Sequence, residues 1–151
     1  MKAKDTPEIG CYLDHGSRNS EELSIDIVDL AEGYGYKPSK EYGEVINMEE
    51  DDRDEFYSEV LSEESDDAID WLNGHACRDY CYWSNEGYAG AFGLWPDIDG
   101  AREDCGFISS KEQDRPDDGF VGLWMEVNDH GNATLYRRGR NGHDYEIWSV
   151  V

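Results

Sequence analysis

Residues 41–70 hold fourteen acids (Glu41, Glu44, Glu49, Glu50, Asp51, Asp52, Asp54, Glu55, Glu59, Glu63, Glu64, Asp66, Asp67 and Asp70) and a single cation, Arg53. No fold can bury such a stretch whole, because an ionised carboxylate without partners is expelled from an apolar interior at a cost that exceeds the net stability of a domain. The segment must keep at least one face in water, and the core has to come from elsewhere. Five Trp, ten Tyr and four Phe supply it, since aromatic rings bring the largest apolar area per residue. Without them, 36 Asp and Glu against 13 Lys and Arg, a net charge of −23, would place the chain among solvating disordered segments. The length of 151 residues suits one core. With no internal repeat and no Pro- or Ser-rich linker, residues 1–151 are expected to form a single acidic α+β domain.

Periodicity places the elements. Ile9, Cys11 and Leu13 alternate as a short strand. Asn19 and Glu22 have the spacing of a capping box, after which Leu23, Ile27, Leu30 and Ala31 share one helical face until Gly33 and Gly35 end the run. Phe56 with Val60, then Ala68 with Trp71 and Leu72, predict helix over 49–73, with Ser65 capping a second helix. Tyr80 to Trp83 and Tyr88 to Trp95 read as a hairpin stopped by Pro96. Gly122 to Val127, Ala133 to Arg138 and Tyr145 to Val151, separated by turn-rich NDHGN and GRNGHD, predict an antiparallel meander with Trp124, Tyr136 and Trp148 covered. The expected fold is therefore α+β: acidic N-terminal and central helices packed on an antiparallel sheet, with a C-terminal three-stranded meander.

Motifs for catalysis are missing from the sequence: it has no phosphate-binding glycine loop, no GxSxG and no HExxH, so no enzyme, cofactor or metal is expected. GYAGAFG lies within an aromatic strand pattern, where its glycines would admit close packing against rings. His75, Cys77, Cys81 and Cys105 lack the paired spacing of a zinc site. Asp97, Asp99 and Gly100 lack the bidentate Glu of a calcium loop and read as a turn. Arg137, Arg138 and Arg140 form the one basic cluster, expected to pair with internal acids or to touch an acidic rim of a partner.

The opening MKAKDTPEIG has no apolar stretch behind its lysines, and no apolar run long enough for a membrane span follows, so a cytoplasmic location with reduced cysteines is expected. So negative a chain is repelled by nucleic acid and by anionic lipid, which leaves basic protein surfaces as its charge partners. A helix over residues 41–70 would run roughly 45 Å with a carboxylate every 3 Å or so, close to the phosphate spacing of about 3.4 Å along one DNA strand. The expectation is a non-enzymatic inhibitor, encoded by a phage or other mobile element, that mimics nucleic-acid charge. It would block nucleic-acid binding by a host CRISPR effector or restriction enzyme through Glu49, Glu50, Asp51, Asp52, Asp54, Glu55, Glu59, Glu63, Glu64, Asp66, Asp67 and Asp70. Direct nucleic-acid or membrane binding is not expected, and homodimerisation is left open. Two alternatives fit the same composition: an acidic accessory protein adapted to high salt, whose charge would be spread evenly, and a small metal-binding module.

Overall fold

The computed structural model describes residues 6–14, 16, 19–85, 90–110 and 114–150. The chain divides into two compact units, residues 1–77 with 82–95 and residues 78–81 with 96–151. The class is α+β, with four α-helices and two sheets among the described residues.

The first unit contains β1 (Gly10–Leu13), α1 (Ser20–Tyr34), α2 (Lys40–Val45), α3 (Glu55–His75) and all but an end residue each of β2 (Cys81–Ser84) and β3 (Phe92–Pro96). Asn19 and Glu22 close the expected capping box of α1, with Glu22 N donating to Asn19 Oδ1 at 2.8 Å and Asn19 N to Glu22 Oε2 at 3.2 Å. The helix passes through Gly33 and stops at Gly35, whose φ of 116° is the left-handed cap conformation that glycine adopts without a Cβ penalty. Leu23, Ile27, Val28 and Ala31 are its buried residues, and Val28 takes the place expected of Leu30. Against them lies α3, one uninterrupted helix of 21 residues: Ser65 is buried in its middle and does not cap a second helix. Val60, Ala68 and Leu72 face inward as expected, but at the start of the helix Tyr57, 1% exposed, takes the core position expected of Phe56, which is 48% exposed. The strand order is β1-β3-β2, so β3 rather than β1 is central. Gly93 faces Cys11 in the antiparallel β1–β3 pairing, and a Cβ there would stand 2.3 Å from the Gly10 carbonyl and 2.8 Å from Trp95 Cζ2. Trp83 fills the core, with Phe92 stacked on it and Tyr12 tilted against it.

The second unit contains α4 (Ile98–Asp104), β4 (Phe107–Ser109), β5 (Gly122–Val127), β6 (Ala133–Arg138) and β7 (Asp144–Val150). The meander β5-β6-β7 is antiparallel as expected, with Trp124 and Trp148 buried and Tyr136 half-buried. The sequence reading lacked β4, which joins the sheet parallel to β5. Its three residues are too few to show a period. Residues 97–100 do not form a turn. Asp97 caps α4, its Oδ1 accepting from Gly100 N at 3.0 Å, which accounts for the acid-glycine spacing without a cation.

Candidate partner-binding surface

Acidity is unevenly shared. The first unit holds 23 acids against 6 Lys and Arg, the second 13 against 7, so −17 of the −23 falls on the first. Within it, the acids of residues 41–70 do not line a single rod. Helix α2 ends at Val45, Glu50–Asp52 form a short 3-10 turn, and α3 starts at Glu55. Instead of a helix over 49–73, residues 50–52 form a turn and α3, about 31 Å long, carries the helical part.

What the broken rod retains is one-sidedness. At about 100° per residue, Glu55, Glu59, Glu63, Asp66, Asp67 and Asp70 all fall within an arc of roughly 120° on α3, and the buried residues fill a separate arc of roughly 140°. All six are exposed, as are Glu49, Glu50, Asp51 and Asp52 before them. The reason is local and apolar. Tyr57, Val60, Leu61, Ala68 and Leu72 must face the core, and at helical spacing that fixes where the acids point. The six carboxylates span about 22 Å of axis, roughly one per 4 Å. Adjacent acids at i, i+4 repel one another, which lowers the stability of an isolated helix by a few tenths of a kcal/mol per pair. The buried face offsets this.

Two of the expected residues have other tasks. Glu64 is 4% exposed and turned inward. It accepts from Tyr36 Oη at 2.7 Å, Ser39 N at 2.8 Å and Ser39 Oγ at 2.7 Å. Burial opposes its ionisation, but the bonds from Ser39 and Tyr36 outweigh burial and hold its pKa below the ordinary glutamate value. It cannot meet a partner, and a sequence pattern that counts acids has no means of separating it from its neighbours. Asp54 is exposed, yet its Oδ1 accepts from Tyr57 N at 3.2 Å as the N-cap of α3. The one cation, Arg53, is folded back locally: its guanidinium lies 4.9 Å over the Tyr57 ring and its Nε donates to the Met48 carbonyl at 3.3 Å. Beside it Glu21, Glu22, Glu50 and Tyr57 line an open groove of about 400 Å³. Exposed on this acidic face, Phe56 is an apolar residue that the sequence reading had assigned to the core.

The basic cluster of the second unit divides. Arg138 is buried and ion-paired: Nε donates to Asp144 Oδ1 at 2.8 Å, Nη2 to Asp144 Oδ2 at 3.1 Å, and Nη1 to the carbonyls of Pro116 and Asp117 at 2.9 Å each. Arg137 and Arg140 are exposed. Among the described residues no group of three or more His, Cys, Asp or Glu is placed to hold a metal ion, and no helix is long and apolar enough to cross a membrane. Compared with known proteins, the chain matches no family model, no curated protein and no solved structure.

Proposed function

We propose that the protein is a non-enzymatic inhibitor that presents the acidic face of α3 and the turn before it to a basic, phosphate-binding cleft on a nucleic-acid-handling protein. The observation that supports this reading is the confinement of six exposed carboxylates to one 120° arc, roughly one per 4 Å of axis, where a DNA strand has a phosphate about every 3.4 Å. Lysines and arginines fixed to hold phosphates meet the same charge at similar spacing, and the same counterions are released. A host defence complex, a CRISPR effector or restriction enzyme, is the target class in this proposal, with a phage or mobile element as the source. Adaptation to high salt would spread charge evenly over the surface; per residue, the first unit is instead about twice as negative as the second, −17 over 91 residues against −6 over 60.

Capture from a host lysate at low salt, with release at high salt, identifies the target by mass spectrometry, and competition against DNA or RNA then tests the mechanism. Converting Asp51, Asp52, Glu55 and Glu59 to Lys lowers affinity on the order of 10²-fold or more through lost steering and new repulsion. The same change at Glu8, Asp99, Glu103 and Asp129, all exposed and remote in sequence, has a small effect. Equal losses from both sets would sink the localised surface in favour of general acidity. Asp54 and Asp144 are kept out of either set because one caps α3 and the other holds Arg138.

A further inference from the structure

Both faces of the β5-β6-β7 sheet are covered along most of their length, by burial of Leu123, Leu135 and Trp148 on one side and of Trp124 and Arg138 on the other, and it is the turn end of the β6–β7 hairpin that is exposed. Pairing sets Leu123, Arg137 and Tyr145 in one row across β5, β6 and β7, and residues directly opposite on antiparallel strands share a face. The other face carries Arg138 opposite Asp144 and Tyr136 opposite Glu146. The acids of the hairpin thus stand on one side, and Arg137 is left on the other with an aromatic neighbour. Neither Arg137 nor Arg140, in the turn, makes an ion pair among the described residues. Asp104 is engaged by the Tyr80 hydroxyl at 2.8 Å.

Tyr145 is 56% exposed, and Val121, just before β5, is 55% exposed. The tyrosine is held in place, since Asn141 Nδ2 donates to its hydroxyl at 3.0 Å across the turn. In a chain of 36 acids, an exposed arginine opposite a fixed, exposed tyrosine, with a second exposed arginine in the adjoining turn and neither ion-paired among the described residues, forms a patch suited to an acidic surface that carries an apolar side chain. Arg and Tyr are also the residue types that dominate binding energy at interface centres.

The chain displays such a surface itself. Phe56, 48% exposed, lies in the first turn of α3 to one side of the exposed Glu55 and Glu59. We propose that the exposed turn end of the β6–β7 hairpin of one copy docks on the start of α3 of a second copy, with Arg137 and Arg140 on Glu55 and Glu59 and with Phe56 against Tyr145 and Val121. Two different surfaces meet, so the contact is heterologous, and the rotation between copies decides whether it closes or extends. Net charge opposes association, but charges farther apart than about 8 Å are largely screened at physiological ionic strength, whereas pairs in contact are screened much less. The inference goes beyond the inhibitor reading and does not rest on it. Both use the start of α3, so a basic partner would compete with the second copy.

Sedimentation equilibrium of the full chain at about 0.15 M salt tests this, with no other protein present. The weight-average mass is expected to rise with concentration. Arg137→Glu with Arg140→Glu, or Glu55→Arg with Glu59→Arg, weakens association about tenfold or more, and mixing the two variants restores it because the pairs are reversed in sign. Tyr145→Ala and Phe56→Ala each give a loss of the same direction without altering charge. A wild-type mass that stays monomeric at every concentration overturns the proposal, as does association that survives either charge reversal, or a mixture that fails to associate. Circular dichroism melts of each variant report folding separately.

Discussion

Glu64 accepts two hydrogen bonds from Ser39, one from the backbone N–H at 2.8 Å and one from the hydroxyl at 2.7 Å, and the same hydroxyl accepts from Tyr42 N at 3.1 Å as the cap of α2. The residue that starts α2 is thereby moored to the middle of α3. Glu64→Ala strands the Ser39 and Tyr36 donors in a closed site and is expected to destabilise the protein by roughly 2–4 kcal/mol, measured by urea unfolding. Glu64→Gln keeps one acceptor and costs less. The pH dependence follows from the lowered pKa. A carboxyl more acidic folded than unfolded contributes stability above its ordinary value of 4.5, and that contribution is lost as pH falls through the lower folded value. The wild type should lose more stability than Glu64→Gln on acidification below that point.

Asp144 takes two bonds from Arg138 and a third from Trp124 Nε1 at 2.9 Å. The Arg138 guanidinium holds its carboxyl below the ordinary aspartate range; burial opposes this, and the Trp124 bond reinforces it. Asp144→Asn leaves a buried guanidinium without its counter-charge, so the melting temperature is expected to fall by several degrees and Trp124 emission to shift. A melt unchanged from wild type would show that the two carbonyls of residues 116 and 117 suffice to hold Arg138.

Asp54 separates capping from charge. Asp54→Asn retains an acceptor for Tyr57 N and should leave stability within a few tenths of a kcal/mol, whereas Asp54→Ala should cost about 1 kcal/mol. If the inhibitor reading holds, both lose the same single charge and weaken target binding alike. Thermal melts and binding measured on the two variants together distinguish the roles.

Gly93 is required by backbone approach. A methyl group at this position meets the Gly10 carbonyl at 2.3 Å, and neither strand can retreat without breaking the β1–β3 pairing. Gly93→Ala is expected to cost at least about 1–3 kcal/mol by overpacking, with hydrogen exchange rising at β1 first. Gly74→Ala, in the last turn of α3 with open space around it, should be neutral or slightly stabilising by comparison.

The sequence alone determined what depends on near neighbours in the chain. The Asn19–Glu22 cap, the Gly35 stop, the β5-β6-β7 meander with its turns and the solvated character of residues 41–70 all follow from spacings of two to four residues, because caps, turns and periodic faces are made within one or two helical turns or strand pairs. Tertiary structure decided what depends on distant groups. Along α3 the spacing placed Val60, Ala68 and Leu72 inward, but which of the adjacent aromatics Phe56 and Tyr57 enters the core was decided by packing, since the two are equally aromatic. Glu64 is distinguished from Glu63 only by Ser39 and Tyr36, 25 and 28 residues away, and Arg138 from Arg137 only by Asp144 and the Pro116 and Asp117 carbonyls that the fold brings to it. An ionised side chain has the same composition whether it meets solvent or a ring of donors; the free energy that separates the two fates lies in partners that only the fold brings within about 3 Å.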